Sequence, residues 1–216
     1  MKSPGARIIR WRIKPALHSL LLLPAASLVW GAFSNGLGVN PVETLTHSTG
    51  EWGLRILLVS LAVTPLARTT KSGWMLQVRR LVGLYAFFYG LVHFLIYLVF
   101  DLALDFGFLV EDVLERPYIT VGFSAFVILL VLAATSTTAT RQRLGRTWVR
   151  IHQAVYAAGL LAVLHYLWIT RIDDTEPLVY GAVLVLLLGY RLFHFLRKKR
   201  PGRTPRPSPA AMNQGG

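Results

Sequence analysis

Apolar residues gather in six long blocks, 15–33, 53–67, 81–100, 118–135, 151–170 and 177–196, separated by short polar links. Most approach the roughly 20 residues that an α-helix needs to cross the hydrocarbon of a bilayer, and 53–67 is the shortest. A spanning segment must satisfy its backbone internally, which a helix does. The pattern therefore predicts an all-α integral membrane bundle of six transmembrane helices. No link is long enough to form a separate domain. The expected organisation is a basic N-terminus over 1–14, the helical domain over 15–196, and a tail over 197–216 whose Pro, Arg and Gly content predicts disorder. No fixed-period repeat is visible along the chain.

Composition supports this reading. Of 216 residues, 54% are hydrophobic, and the mean hydropathy is +0.50. The net charge of +13 matters less than where the charges fall. With the N-terminus on the inside, six crossings leave Lys2, Arg7, Arg10, Arg12 and Lys14 on the inner side. Arg68, Lys71, Arg79 and Arg80 join them, as do Arg141, Arg143, Arg146, Arg150 and the basic C-terminal tail. Only Arg55, Arg116 and Arg171 fall on or near the outer side, together with all ten carboxylates, from Glu43 to Glu176. The positive-inside rule then predicts cytoplasmic termini and a multi-pass membrane protein. Basic residues spread over inner links suit anionic lipid better than nucleic acid. The basic start followed by an apolar run reads as an uncleaved first helix, because no small-x-small cleavage site follows it. The chain has no cysteine. That excludes disulfides, thiolate ligation, iron–sulfur clusters and covalent haem attachment.

Three histidines, His93, His152 and His165, fall inside expected spans. An ionisable side chain in hydrocarbon costs roughly 2.5–3.5 kcal/mol on insertion scales and marks function by default. Neutral imidazole is also an axial ligand for haem iron. The blocks 81–100 and 151–170 run in the same direction. His93 lies eight residues before Asp101, and His165 lies six before Arg171. At about 1.5 Å per residue the two rings differ in depth by only a few ångströms. They are expected to meet one iron from opposite sides, in the outer half of the bundle. His152 lies roughly 20 Å deeper, and an ideal helix would put it on a different face from His165. The positions matching its depth on the earlier span are Arg79 and Arg80, which cannot ligate iron. An arginine pair suits a flavin or haem phosphate or carboxylate. His18 and His194 have no matched partner and read as structural. His47 is expected in the outer link, over the haem edge or on a docking face. Tyr85, Phe87, Phe88, Tyr89, Phe94 and Tyr97 read as packing around His93. Trp52, Trp148 and Trp168 sit where interface anchors belong.

Two stretches, VRRLVGLYAFFYGLVHFLIYL over 78–98 and LGRTWVRIHQAVYAAGLLAVLHYLW over 144–168, closely resemble the MsrQ family, formerly YedZ. HSTGEWGLRILLVSLAVTPLAR over 47–68 resembles the same family's second helix. The family is the haem-binding membrane subunit of a periplasmic protein-methionine-sulfoxide reductase system, within the ferric reductase-like transmembrane superfamily. The double-histidine fifth helix also resembles ferric reductases and NADPH oxidases. Their third helix carries two histidines, whereas this one has His93 alone, as in MsrQ.

The resemblance implies a b-type cytochrome that passes electrons to a periplasmic molybdopterin subunit reducing methionine sulfoxide in oxidised proteins. It implies haem b held by His93 and His165, and FMN, with a second haem the alternative at the inner site near His152, Arg79 and Arg80. The implied donor is the quinone pool or a cytosolic flavin reductase. Methionine sulfoxide reduction itself would occur on the partner. The sequence has no dinucleotide fingerprint of its own. Two other readings remain: a self-standing transmembrane reductase of ferric-reductase type with a small acceptor, and a proton-relaying transporter. No carboxylate falls inside the six blocks, which counts against the transporter. Exclusion of Lys and Arg explains the acidity of the outer links, with orientation of a basic partner as the alternative.

Overall fold

The computed structural model describes residues 8–170 and 175–199. The placements expected of Lys2, Arg7, Arg171, Asp173, Asp174 and the tail beyond 199 lie outside the described residues. All regular structure among the described residues is helical. Helix α1 is Lys14–Phe33, entered through a π-helical turn at Ile9–Ile13. Helix α2 is Pro41–Thr69. Helix α3 is Met75–Ile96, extended by a π-helical turn at Tyr97–Asp101. Then follow α4 (Phe106–Glu115), α5 (Pro117–Ala134), α6 (Thr138–Leu144), α7 (Arg146–Gln153), α8 (Val155–Ile169) and α9 (Glu176–Lys199).

Five stretches are long and apolar enough to cross a membrane: Ile9–Phe33, Pro41–Thr69, Met75–Asp101, Pro117–Ala134 and Glu176–Arg197. The fifth expected span, 151–170, is divided. A tight turn at Ala154 separates α7 from α8, where the Ala154 amide donates to the Ile151 carbonyl. Helix α8 has 15 residues, or roughly 22 Å at 1.5 Å each, short of the ~30 Å hydrocarbon core. The same break removes the ideal-helix phase relation expected between His152 and His165.

The polar links are more ordered than their composition implies. The outer link 34–52 becomes helical at Pro41. Asn40 caps α2 by accepting from the Glu43 amide at 3.3 Å and donating to its carboxylate at 2.9 Å, and Pro41 takes the first-turn position its fixed φ suits. The hydroxyls of Thr46 and Thr49 donate back to the Val42 and Leu45 carbonyls, at 2.9 and 2.7 Å. Polar side chains that bond their own helix do not interrupt it. His47 and Glu51 consequently stand on α2, and a carboxylate enters the bundle where the sequence predicts none. The link 101–117 holds α4, capped by Asp105 at the Gly107 and Phe108 amides. The inner link 136–150 folds into α6 and the start of α7, joined by Gly145 at φ +49°, a conformation that favours glycine. Helix α9 continues to Lys199, into the expected tail.

Helix α2 packs along α3, α5 packs along α8, and α9 lies against α2 and α8. One core joins Leu54, Leu58 and Leu61 to Val163 and Leu184. A second joins Ile56 and Leu57 to Val82, Ala86 and Tyr89. Helix α1 is pinned through its proline. Pro24 sits within α1, and beside it the fully buried Tyr89 hydroxyl accepts from the Ala25 amide at 3.0 Å and donates to the Leu21 carbonyl at 2.8 Å. A hydroxyl thus bridges one rung of the helix ladder, a recognised cause of helix bending. Much of the remaining outer surface is apolar, including Leu20, Leu23, Trp30, Val185 and Leu186.

Candidate functional site

His93 projects from α3 and His165 from α8, and their ring centres lie 6.3 Å apart with the ring planes at 78°. Each ring is aimed by the same device. His93 Nδ1 lies 2.9 Å from the Thr46 carbonyl, and His165 Nδ1 lies 2.7 Å from the Tyr118 carbonyl. A carbonyl only accepts, so Nδ1 carries the proton in both rings. Nε2 is left with its lone pair, as a metal-ligating imidazole requires.

One turn after each accepting carbonyl stands a glycine. A methyl group at Gly50 would sit 3.1 Å from His93 Nδ1, and one at Gly122 would sit 2.6 Å from His165 Nδ1 and Cε1. The imidazoles can lie on the helix backbone only because these two positions lack a Cβ. In both cases the histidine follows its acceptor by 47 residues.

Both rings line a cavity of about 760 Å³ between α2, α3, α5 and α8. Its lining is doubled. Thr46, Gly50, Gly53, Leu57, Gly90 and His93 correspond in order to Tyr118, Gly122, Ala125, Leu129, Ala162 and His165, at one constant offset. The chain therefore contains two similar helix pairs, α2–α3 and α5–α8, although no repeat is visible in the residue string. Small residues on the facing helices keep the space open. Two metal–nitrogen bonds of roughly 2 Å each, plus the two ring radii, fill about 6.3 Å, the separation of the ring centres. The residues present thus fit a metal centre shared by two imidazoles in a roomy, mostly apolar cleft.

His47 and Glu51, both on α2, line the same cavity. Glu51 belongs to a polar network that closes one end of it. Arg55 Nη2 lies 2.9 Å from Glu51 and 3.5 Å from Glu176, and Arg55 Nε donates to the Tyr180 hydroxyl at 2.7 Å. The Tyr166 hydroxyl lies 3.4 Å from both carboxylates. Arg55 also stands over Trp52, 5.2 Å from its ring centre. This network ties α2, α8 and α9 together at their carboxylate-rich ends. Of the aromatics near His93, Phe94 and Tyr97 reach the cavity, and Phe94 stacks on Phe126 at 4.7 Å. Tyr85 instead takes a hydrogen bond with His18, Nδ1 to hydroxyl, at 2.8 Å.

His152 lies apart, at the end of α7. It stacks on Trp148 with ring centres 3.9 Å apart, and its Nδ1 lies 3.2 Å from the Trp148 carbonyl. Its Nε2 is 3.5 Å from the Ser136 hydroxyl. Arg79 and Arg80 lie within electrostatic reach of the imidazole. Trp148 is also a fastener, since its indole N–H donates to the Thr135 carbonyl at 3.0 Å. His194 sits against Tyr190, with ring centres 4.3 Å apart.

The sequence reading found the histidines and missed what aims them. Gly50 and Gly122, and the Thr46 and Tyr118 carbonyls, belong to the site. The available signal was a glycine at the same distance before each histidine.

Residues 49–163 match the family model of the ferric reductase like transmembrane component. Among curated proteins, the chain is 49% identical to the protein-methionine-sulfoxide reductase heme-binding subunit MsrQ of Bordetella pertussis over 194 residues, covering 89% of this chain and 94% of that protein. It is 44% identical to the protein of the same name from Xanthomonas campestris pv. campestris over 204 residues, covering 91% and 94%. The protein of that name from Xanthomonas oryzae pv. oryzae is 43% identical over 207 residues, covering 89% and 95%. No solved structure matches. With this family match over residues 49–163 and these identities over nearly its whole length, the chain belongs to the MsrQ family, within the ferric reductase like transmembrane proteins.

Proposed function

We propose that this protein is the b-type cytochrome subunit of a methionine sulfoxide repair system, passing electrons across the bacterial inner membrane to a periplasmic molybdopterin reductase. The observation that carries the reading is the opposed pair His93 and His165, both protonated at Nδ1 by their carbonyl bonds and 6.3 Å apart at their ring centres. These two residues would hold the iron of a haem b. When bound there, the haem supplies a reversible one-electron carrier. The two carbonyl bonds hold the imidazoles in one tautomer and strengthen Nε2 as a donor. Gly50 and Gly122 let the rings approach the backbone, and the apolar walls of the cavity keep water from the metal centre. Relatives that carry the name heme-binding subunit support the assignment.

The proposed topology has six crossings, with α8 and the end of α7 together making the fifth and both termini in the cytoplasm. Segregation of charge supports it. The ion pairs of Glu51, Arg55 and Glu176 gather at one end of α2 and α9, and arginines gather at the other. The proposed inner cofactor site comprises His152, Arg79 and Arg80, with FMN as its occupant. The arginines supply charge for the flavin phosphate, and His152 with Trp148 supplies a flat aromatic wall. The donor in this reading is the quinone pool or a cytosolic flavin reductase.

Replacing His93 or His165 with alanine should abolish the low-spin haem absorption of the detergent-purified protein. Retention of that spectrum in both variants would refute the ligand assignment. Replacing Arg79 and Arg80 together with glutamine should lower flavin per chain severalfold and leave haem per chain unchanged. Equal flavin content in wild type and double variant would remove the inner site from the proposal.

A further inference from the structure

Two buried side-chain polar atoms among the described residues lack a hydrogen-bond partner, Thr64 Oγ1 and Arg191 Nε. They belong to one place. Arg191, in the second half of α9, reaches across to α2, where its Nη2 donates to the Leu61 carbonyl at 3.4 Å. Its guanidinium lies 4.5 Å from the ring centre of Tyr156 on α8. Thr64 follows Leu61 by three residues and Arg68 follows Thr64 by four, so all three share one face of α2. Arg68 and Arg79 lie close enough to Arg191 for their charges to repel it. The ion pairs found among the described residues join Arg55 to Glu51 and Glu176, and Arg116 to Asp112, and involve none of these arginines.

Thr64 is an exception within its own helix. Thr46, Thr49 and Thr69 each donate to a carbonyl four residues back, the habitual solution for a hydroxyl in a helix. The Thr64 hydroxyl is buried without that bond. A hydroxyl and the Arg191 guanidinium N–H are therefore both unsatisfied, near two further arginines. Partly buried cations are stable where a counter-charge is present. A partner that accepts several hydrogen bonds and carries negative charge would satisfy both groups. A phosphate does both, and the planar guanidinium fork matches its oxygens.

We propose that Thr64, Arg68, Arg79 and Arg191 form a binding site for a phosphate group at the arginine-rich end of the bundle. The site shares Arg79 with the inner cofactor site proposed above, and it stands whether or not a flavin fills that site. Two sources carry the required chemistry: the phosphate of FMN and the headgroup of an anionic phospholipid.

The test uses the full-length, haem-replete protein in nanodiscs of neutral lipid, as wild type, Arg191→Gln and Thr64→Val. FMN is titrated by quenching of flavin fluorescence, and phosphatidylglycerol by native mass spectrometry. Arg191→Gln should weaken one of the two ligands tenfold or more, and Thr64→Val should weaken the same ligand severalfold. Selective loss of FMN identifies the phosphate of a flavin, and selective loss of phosphatidylglycerol identifies a lipid headgroup. Wild-type affinity for both ligands in both variants overturns the site, and so does a wild type that binds neither. Haem absorption reports the His93–His165 centre separately and should not change, so failure here is distinguishable from failure of the cytochrome reading. Melting without ligand reports whether each variant still assembles. If Arg191→Gln does not assemble, the nearly isosteric Thr64→Val carries the test alone.

Discussion

At the scale of single residues, the site depends on two absent methyl groups. A histidine can approach a helix carbonyl closely only where no Cβ stands in the way, and Gly50 and Gly122 provide that room. The two positions are not equally tight. A Cβ at Gly122 would fall 2.6 Å from His165, against 3.1 Å from His93 at Gly50. Contacts below about 3.0 Å must be relieved by movement, and the ring that would move is held by its 2.7 Å bond to the Tyr118 carbonyl. Gly122→Ala should therefore displace His165 and lose most of the low-spin haem signal, while Gly50→Ala should keep a substantial part of it. Absorption spectra of the two variants at equal protein concentration check this. A wild-type spectrum from Gly122→Ala would show that the cradle does not govern ligation.

At the scale of elements, the decisive features are interruptions. Pro24 in α1 is bridged by the Tyr89 hydroxyl, which accepts from the Ala25 amide and donates to the Leu21 carbonyl. Removing that hydroxyl leaves two buried backbone groups without their partner, at a cost of about 1–3 kcal/mol. Tyr89→Phe should lower the thermal midpoint in detergent and loosen α1 from α2 and α3, read as faster proteolysis in α1. An unchanged midpoint would mean that the Ala25 amide simply returns to the Leu21 carbonyl. The turn at Ala154 separates α7 from α8. Within α7, His152 stacks on Trp148 one turn earlier and lies 3.5 Å from the Ser136 hydroxyl. The helical start of α2 at Pro41 brings Glu51 to the cavity and Arg55 to Glu51 and Glu176.

At the scale of the whole molecule, the two helix pairs α2–α3 and α5–α8 contribute corresponding residues to one cavity. The charge pattern orients that cavity toward the carboxylate-rich end. The absence of cysteine makes the proposed topology directly measurable, because a single introduced cysteine is the only thiol. Glu111→Cys on α4 should react in intact cells with a membrane-impermeant maleimide that reaches only the periplasm. Arg143→Cys on α6 should react only after the inner membrane is opened. The reverse pattern would invert the bundle and place the proposed haem site on the cytoplasmic side.

Much of this protein was legible in the residue string. Long apolar blocks dictate helices because backbone groups in lipid have no other partner, and the distribution of Lys and Arg predicts their orientation. The depth of His93 and His165 followed from counting residues along two parallel helices. Counting works for depth because helix rise is constant. It does not work for what depends on contacts between distant segments. The bonds to the Thr46 and Tyr118 carbonyls, the room made by Gly50 and Gly122, the Tyr89 bridge over Pro24 and the meeting of Arg68, Arg79 and Arg191 each join different helices. Local sequence determined which segments form apolar helices and that His93 and His165 stand at matching levels along two of them. Packing alone decided which backbone each imidazole rests on, because that choice belongs to the neighbouring helix and not to the helix that carries the ring.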